Sequence, residues 1–514
     1  MMTPDRKPII RTIHHKLFHW IVVGFVVAGL AISQTMYAAP GDLTDREITN
    51  AVQDELLYNT TTPSYQIDIS TSDGIVMLEG SVDNLLSKER AASIAASVKG
   101  VRGVVNKLNV HVPERSDVTL EKDVEEAILM DPAADKYEVA VNVNNGEVTL
   151  TGKVDSWQEK QLLAYVVKSV TGVKKLQNAV EVSYDVDRSD MEIRNEIESL
   201  LRNDVRVDDA LLEVEVNDGY VELAGTVGSL LEKQQALTNA WVPGVFGVNA
   251  GDLEVKDWAR EEKYRNGKYM VRSDEEIWEA VKDVLRYDPR VSAFQPDVSV
   301  DNGTVRLTGI VDNLKAKRSA GEDARNVVGV SRVKNYLKVR PVEDITDKKL
   351  ETRVEQAFMR DPFVRKYEVY VDASNGVVSL SGSVNNAFQR SQAEELASRQ
   401  KGVVAVENYI NVESPAEYTY YNYYGWNSVY PLVFPDDRDV FLSDREIMQE
   451  VNQQIRWSPF VNEEDIDVVV NNGTVILSGL VQTTREKAFA GINAREAGAV
   501  NVENNIVVEN NSNR

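Results

Sequence analysis

Residues 300–311 read VDNGTVRLTGIV. Val300, Val305 and Leu307 alternate with polar residues, and Asn302-Gly303 between them supplies the positive φ angles of a tight hairpin turn. Gly309 then interrupts a strand-like run, which marks a bulge or close helix packing. The same phrase recurs along the chain. Its central glycine appears in LEGSV (Gly80), LTGKV (Gly152), LAGTV (Gly225), LTGIV (Gly309), LSGSV (Gly382) and LSGLV (Gly479). Six residues before each stands a turn glycine: Gly74, Gly146, Gly219, Gly303, Gly376 and Gly473. Thirty-two before each stands an apolar residue, from Ile48 to Ile447, and a third glycine follows 19 or 20 residues later. Such register at a fixed period is the mark of a repeat architecture.

Working outward, Ile277, Ala280, Val281, Val284 and Leu285 occupy one helical face upstream of the hairpin. Ser273 and Glu276 form a capping box at its start, as do Thr44/Glu47, Ser189/Glu192 and Ser443/Glu446. The second and fifth copies have Thr119 and Lys349 at the acidic position, so their helix ends are expected to fray more. Downstream comes a second helix rich in small apolar residues, then a last strand. The unit is α-β-β-α-β. A right-handed crossover lays both helices on one face of a three-stranded sheet and leaves the other face polar and open. The predicted class is α+β, with six tandem domains at 44–112, 116–184, 188–255, 273–339, 345–412 and 443–508.

These features resemble the BON domain (bacterial osmotic-stress and nodulation): the helix, the Asp/Asn-Gly hairpin, the V-x-L-x-G-x-V strand and the later Gly-Val pair. The resemblance implies an exported, non-enzymatic protein connected with envelope integrity, osmotic protection and phospholipid contact.

Composition narrows the function from another side. The 514 residues carry 57 Lys plus Arg against 81 Asp plus Glu, a net charge of −24, which opposes broad binding to nucleic acid or anionic membrane. Cysteine is absent and histidine numbers four, so thiol chemistry is excluded and the usual acid–base and transition-metal ligands are nearly missing. No nucleotide-binding, metalloprotease or hydrolase motif appears in a suitable context, and no catalytic residue, cofactor or metal is expected. Residues 1–39 place Arg6, Lys7, Arg11 and Lys16 before an apolar run from Leu17 to Ile32, with Ala38 and Ala39 behind it. This reads as a signal peptide, with an uncleaved anchor as the alternative. The expected location is periplasmic, with possible association with the outer or inner membrane.

Two insertions separate the copies. Residues 256–272 (KDWAREEKYRNGKYMVR) hold six basic and three acidic residues with interleaved aromatics. The fourth domain is also the least acidic against its neighbour, with 11 basic and 11 acidic residues where the third has 5 and 14. Trp258, Lys263, Tyr264, Lys268 and Tyr269, with Lys315, Lys317, Arg318 and Arg325 of the fourth domain's second helix, are therefore candidate contacts for phospholipid or another anionic partner. Residues 413–442 are tyrosine-rich. Tyr418, Tyr420, Tyr421, Tyr423, Tyr424, Trp426 and Tyr430 there are candidate contacts for protein or glycan. Packing of both insertions on adjacent domains is the competing expectation. The leading functional reading is an exported multi-domain envelope scaffold that binds membrane phospholipid or other envelope components. The alternatives are a soluble stress-protective or chaperone-like protein and a secretion or surface-polymer subunit.

Overall fold

The fourth domain shows how local chemistry builds each unit. Ser273 caps the helix Asp274–Tyr287 through a reciprocal capping box with Glu276. Ile277, Ala280, Val281 and Leu285 are buried on its inner face. The strands Asp297–Asp301 and Thr304–Thr308 pair antiparallel around Asn302-Gly303, whose φ angles are 49° and 69°. The second helix, Leu314–Arg325, starts at Asn313, whose side chain accepts from Ala316 N–H. The chain then returns as Arg332–Asn335 and Lys338–Val339, both parallel to the middle strand. Val305, Leu307 and Val311 face the two helices, and the opposite side of the sheet is open. This computed structural model describes residues 43–58, 67–184, 188–260, 264, 268, 272–342, 345–365, 367–385, 387–412, 443–457, 461–483 and most of 486–509.

The central strand lies between the hairpin partner and the parallel strand in all six domains, as expected for three-stranded sheets. The last strand is broken in two in five domains and continuous in the fifth, as Ala405–Val412, and an asparagine ties it to the second helix. Asn106 Nδ2 donates to the Lys88 carbonyl of the second helix, while its Oδ1 accepts from Leu108 N–H. Asn178, Asn335, Asn408 and Asn504 repeat both bonds.

The central glycines have φ between 111° and 142°. A Cβ on Gly225 would lie 2.0 Å from the Leu211 carbonyl oxygen, so backbone approach from the hairpin partner, and not helix packing, demands glycine there. The fraying expectation divides. Ser116 still accepts from Thr119 N–H without an acidic partner, because the hydroxyl alone supplies the cap, whereas Thr346 makes no side-chain cap bond.

Residues 43–514 form one compact unit in which domains pack out of chain order. Domains 1 and 3 share a continuous apolar core. Domains 3 and 4 join by reciprocal backbone bonds, Val205 N to Asn326 O at 2.9 Å and Val328 N to Asn203 O at 2.8 Å. Domain 2 meets domain 5, where Thr171 N and Oγ1 both donate to the Arg360 carbonyl. Asp131 of domain 2 is nearly inaccessible and sits between Arg290 of domain 4 and Arg399 of domain 5. The helical layers therefore turn inward and make these contacts. The sheets carry the outer faces.

Candidate functional site

Because the helices of domain 4 face its neighbours, its available charge lies on the sheet. The outward residues of the middle strand are Thr304, Arg306 and Thr308, followed by Ile310, and those of the last strand are Arg332, Lys334, Tyr336 and Lys338. Register places Thr304 opposite Arg332, Arg306 opposite Lys334 and Ile310 opposite Lys338. The Arg306 guanidinium lies 5.3 Å from the centre of the Tyr336 ring. Tyr336 is 53 % exposed and Ile310 50 %. Four cations, an aromatic ring and an aliphatic side chain thus share one open face.

What sets this face apart is that its middle and last strands lack a cross-strand ion pair. In domain 1 the cross-strand pair Lys107–Glu79 closes at 3.1 Å, and in domain 2 Lys175–Glu147 closes at 3.5 Å. Counted from the central glycine, Thr308 stands where domain 1 has Glu79, and Thr304 where domain 2 has Glu147. Arg332 occupies the position of Lys175, but meets a threonine. Among the described residues none of Arg306, Arg332, Lys334 and Lys338 lies in an ion pair with a carboxylate; Asp297 and Asp301 share this outer face on the adjacent hairpin strand, opposite Thr308 and Thr304. Oriented cations with an adjacent ring and aliphatic chain can hold phosphate or carboxylate groups at an apolar boundary.

The basic residues singled out on the second helix are used differently. Lys315 pairs with Glu395 at 2.9 Å and Arg318 with Glu394 at 2.6 Å, fastening domain 4 to domain 5. Lys317 is half-buried on the same helix, and Arg325 is exposed at its last turn. In the first insertion, the helical turn Asp257–Arg260 leaves Trp258 45 % exposed, edge-on to Tyr264 at 5.0 Å. Lys268 is only 4 % exposed, which corrects its reading as a surface contact. Its ammonium donates to the carbonyls of Leu201 and Arg202, and pairs with Asp209 at 3.2 Å. It closes the C-terminal end of the helix Asp190–Asn203, where carbonyls lack partners. Burial pushes its pKa down despite Asp209. Lys263, Tyr269 and the whole stretch with Tyr418, Tyr420, Tyr421, Tyr423, Tyr424, Trp426 and Tyr430 lie outside the described residues.

A small cleft between domains 2 and 5 is lined by Met130, Asp131, Arg360, Asp361, Arg399 and Gln400. Its charges are engaged by one another across domains: Arg360 reaches Glu126 at 3.2 Å, and Arg399 reaches Asp131 at the same distance. Gln392 holds Asp361 at 2.8 Å. Among the described residues no cluster of His, Cys, Asp and Glu side chains is arranged to hold a metal, and no helix is long and apolar enough to cross a membrane.

The model of the BON domain matches residues 44–111, 116–184, 189–257, 273–341, 346–414 and 443–510. The chain belongs to the BON domain family. It is similar to osmotically-inducible protein Y of Escherichia coli (strain K12), with 27% identity over 158 residues, 29% of this chain and 79% of that protein. It is also similar to the outer membrane lipoprotein DolP of Haemophilus influenzae, with 33% identity over 138 residues, 26% of this chain and 71% of that protein. Among solved structures it resembles CdsD, a structural protein of the type III secretion system of Chlamydia trachomatis, at 21% identity and a TM-score of 0.13, covering 44% of this chain and 94% of that one. Each alignment to the two named relatives is about as long as two of the six BON domains.

Proposed function

We propose that this protein is an exported, non-catalytic BON scaffold of the bacterial envelope that supports envelope integrity under osmotic stress. In this reading its fourth domain rests its open sheet on anionic phospholipid. The likeness to an osmotically inducible protein and to an outer membrane lipoprotein supports the envelope and stress part. The single observation that carries the lipid part is the stripe of Arg306, Arg332, Lys334 and Lys338, outside any ion pair among the described residues, with Tyr336 and Ile310 beside it, in a chain of net charge −24. Each basic residue near an anionic surface contributes on the order of 1 kcal/mol, and the exposed ring and aliphatic side chain suit the headgroup level.

The test is flotation of residues 43–514, which form a compact unit without the N-terminal apolar run. The protein should float with vesicles containing phosphatidylglycerol, and raised salt should release it. Arg306→Glu combined with Arg332→Glu and Lys334→Glu should abolish flotation, whereas Lys315→Glu should chiefly loosen the contact between domains 4 and 5. Flotation unaffected by the triple change would refute the assignment. Failure of the parent protein to float, together with suppression of aggregation of a client protein, would favour the soluble stress-protective reading; the net charge of −24 is what speaks for it.

A further inference from the structure

The open sheet of domain 5 has a different chemistry. Its middle strand, Val377–Val384, turns Ser379, Ser381 and Ser383 outward. Register sets Ser381 opposite Tyr370 on one side and Tyr409 on the other. With neighbouring strands about 4.8 Å apart, the two tyrosine Cα atoms stand roughly 10 Å from one another across a low floor of hydroxyls. Both rings are 64 % exposed. Neither hangs free, because the Tyr370 hydroxyl donates to Glu368 Oε2 at 3.3 Å and the Tyr409 hydroxyl to Glu407 Oε2 at 3.2 Å. Each partner is two residues earlier in the chain, so each ring is drawn along its strand and over the sheet. Ser379 Oγ also donates to Glu407 Oε2 at 3.3 Å.

The strand carrying Tyr370 is antiparallel to the middle strand, and the strand carrying Tyr409 is parallel to it. The two tyrosines therefore run in opposite senses, each leaning toward its own earlier neighbour. Around them the outward groups are Asp372, Ser374, Glu407 and Asn411, and among the described residues this face presents no Lys or Arg. It therefore repels the anionic groups that domain 4 attracts.

We propose that this face binds a β-1,4-linked glycan of N-acetylated hexosamines. Alternate rings of such a chain present the same face, which suits two tyrosines standing on one side of the sheet. The C–H faces of two pyranose rings lie over Tyr370 and Tyr409, and tyrosine supplies broad, stiff contact area at low entropic cost. The serine hydroxyls both donate and accept hydrogen bonds to the sugar hydroxyl and acetamido groups, and the Glu368 and Glu407 carboxylates accept them. Tethering each ring before the ligand arrives lowers the cost of ordering it on binding.

The site is tested by calorimetric titration of residues 43–514 with chitohexaose, alongside co-sedimentation with purified peptidoglycan. The parent should bind both. Tyr370→Ala and Tyr409→Ala should each weaken chitohexaose binding about tenfold or more, and the double change should abolish it. Tyr409→Phe keeps the ring but loses the tether to Glu407, so it should fall between parent and alanine variant. The exposure of both rings leaves folding untouched, which unchanged circular dichroism and unfolding midpoint check. Arg306→Glu with Lys334→Glu, in domain 4, should leave glycan binding as it was, so failure of the lipid reading is told apart from failure of this one. The proposal is overturned if the parent binds neither glycan, if the double tyrosine variant binds as well as the parent, or if the tyrosine changes abolish vesicle flotation while sparing glycan.

Discussion

Replacing Asp131 by alanine should separate domains 2, 4 and 5 without dismantling any of them. Asp131 Oδ1 accepts from Arg290 Nη1 at 3.0 Å, and Oδ2 from Arg290 Nη2 at 3.1 Å and Arg399 Nη2 at 3.2 Å. The three side chains are 3 %, 9 % and 5 % exposed, and none belongs to an apolar core of its own domain. Removing one partner of a buried ion pair costs about 3–5 kcal/mol, chiefly because the remaining charge stays buried and unpaired. Here two guanidinium groups are stranded together. For a block in the 150–250-residue range, where 1 kcal/mol moves the midpoint by about 2–4 °C, a cost of about 4 kcal/mol is a drop of roughly 8–16 °C. Scanning calorimetry should show that drop, and limited proteolysis should show new cleavage between intact domains. The pH dependence carries a sign. Burial acts to raise the Asp131 carboxyl, but Arg290 and Arg399 outweigh it and hold the pKa below the ordinary range. Its contribution is therefore complete above about pH 4 and is lost as pH falls through the depressed value, where parent and variant should converge. The triple change Asp131→Leu, Arg290→Met and Arg399→Met should restore most of the midpoint, since apolar replacement of a buried ion cluster is often neutral or stabilising. An alanine variant that melts within about 1 °C of the parent, well under the shift from 1 kcal/mol, would refute the reasoning.

The central glycines should differ in their tolerance of a methyl group. Gly225→Ala drives Cβ to 2.0 Å from the Leu211 carbonyl oxygen at φ 111° and should cost about 3 kcal/mol or more, whereas Gly309→Ala meets nothing nearer than 3.7 Å and should cost about 1–2 kcal/mol for its φ alone. Urea midpoints of the two variants check the order. In domain 5, burial pushes the Asp361 carboxyl up to about 6, against the hydrogen bonds from Gln392, Phe363 and Val364. Its charge is then a burden above that pH, and stability is lost as pH rises from about 4 through about 6. Asp361→Asn should accordingly stabilise by about 1–3 kcal/mol at about pH 7.5, an advantage that shrinks as pH falls and is gone near pH 4. A stability difference that does not vary with pH would count against it.

What the sequence makes legible is what a few neighbouring residues dictate. Asn302-Gly303 needs positive φ wherever it stands, and Ile277 to Leu285 need one apolar face whatever covers it. The devices that escape a sequence reading act at longer range. Asp274 directly follows the capping serine, and its carboxylate accepts from Asn302 N–H and Gly303 N–H at 2.9 Å each, tying the helix start to the hairpin turn. Asp45, Asp117, Asp190 and Asp444 do the same for their own turns. The recurrence of aspartate after the cap is visible in the sequence, but its acceptor role requires knowing that the turn comes back over the helix. The strand asparagines are equally visible as a repeated Asn two residues before Leu, Val or Ile. The charged side chains are misplaced for a different reason. Lys315 and Arg318 look like surface on any isolated amphipathic helix, and only the arrival of Glu394 and Glu395 from another domain engages them. No local period encodes Asp131 meeting Arg399, 268 residues away.

That division between inner helices and outer sheets also bears on why one fold would be repeated six times. Contacts among domains fall on helix ends and helix faces, as at Thr171 with Arg360 or Lys315 with Glu395. Substitutions there disturb two domains at once. Outward positions of a middle strand touch no neighbouring domain's core, so they can diverge at little cost to the fold. They have done so: Thr304, Arg306 and Thr308 in domain 4 correspond to Tyr220, Glu222 and Ala224 in domain 3, and to Val377, Ser379 and Ser381 in domain 5. The frame stays constant while each face acquires its own charge and ring content. Domains 4 and 5 contact one another through their second helices, so each open face lies on the far side of its own helices from that contact. A cationic face and a tyrosine–serine face held rigidly apart in this way can engage two dissimilar surfaces at once, and binding at one raises the effective concentration for the other.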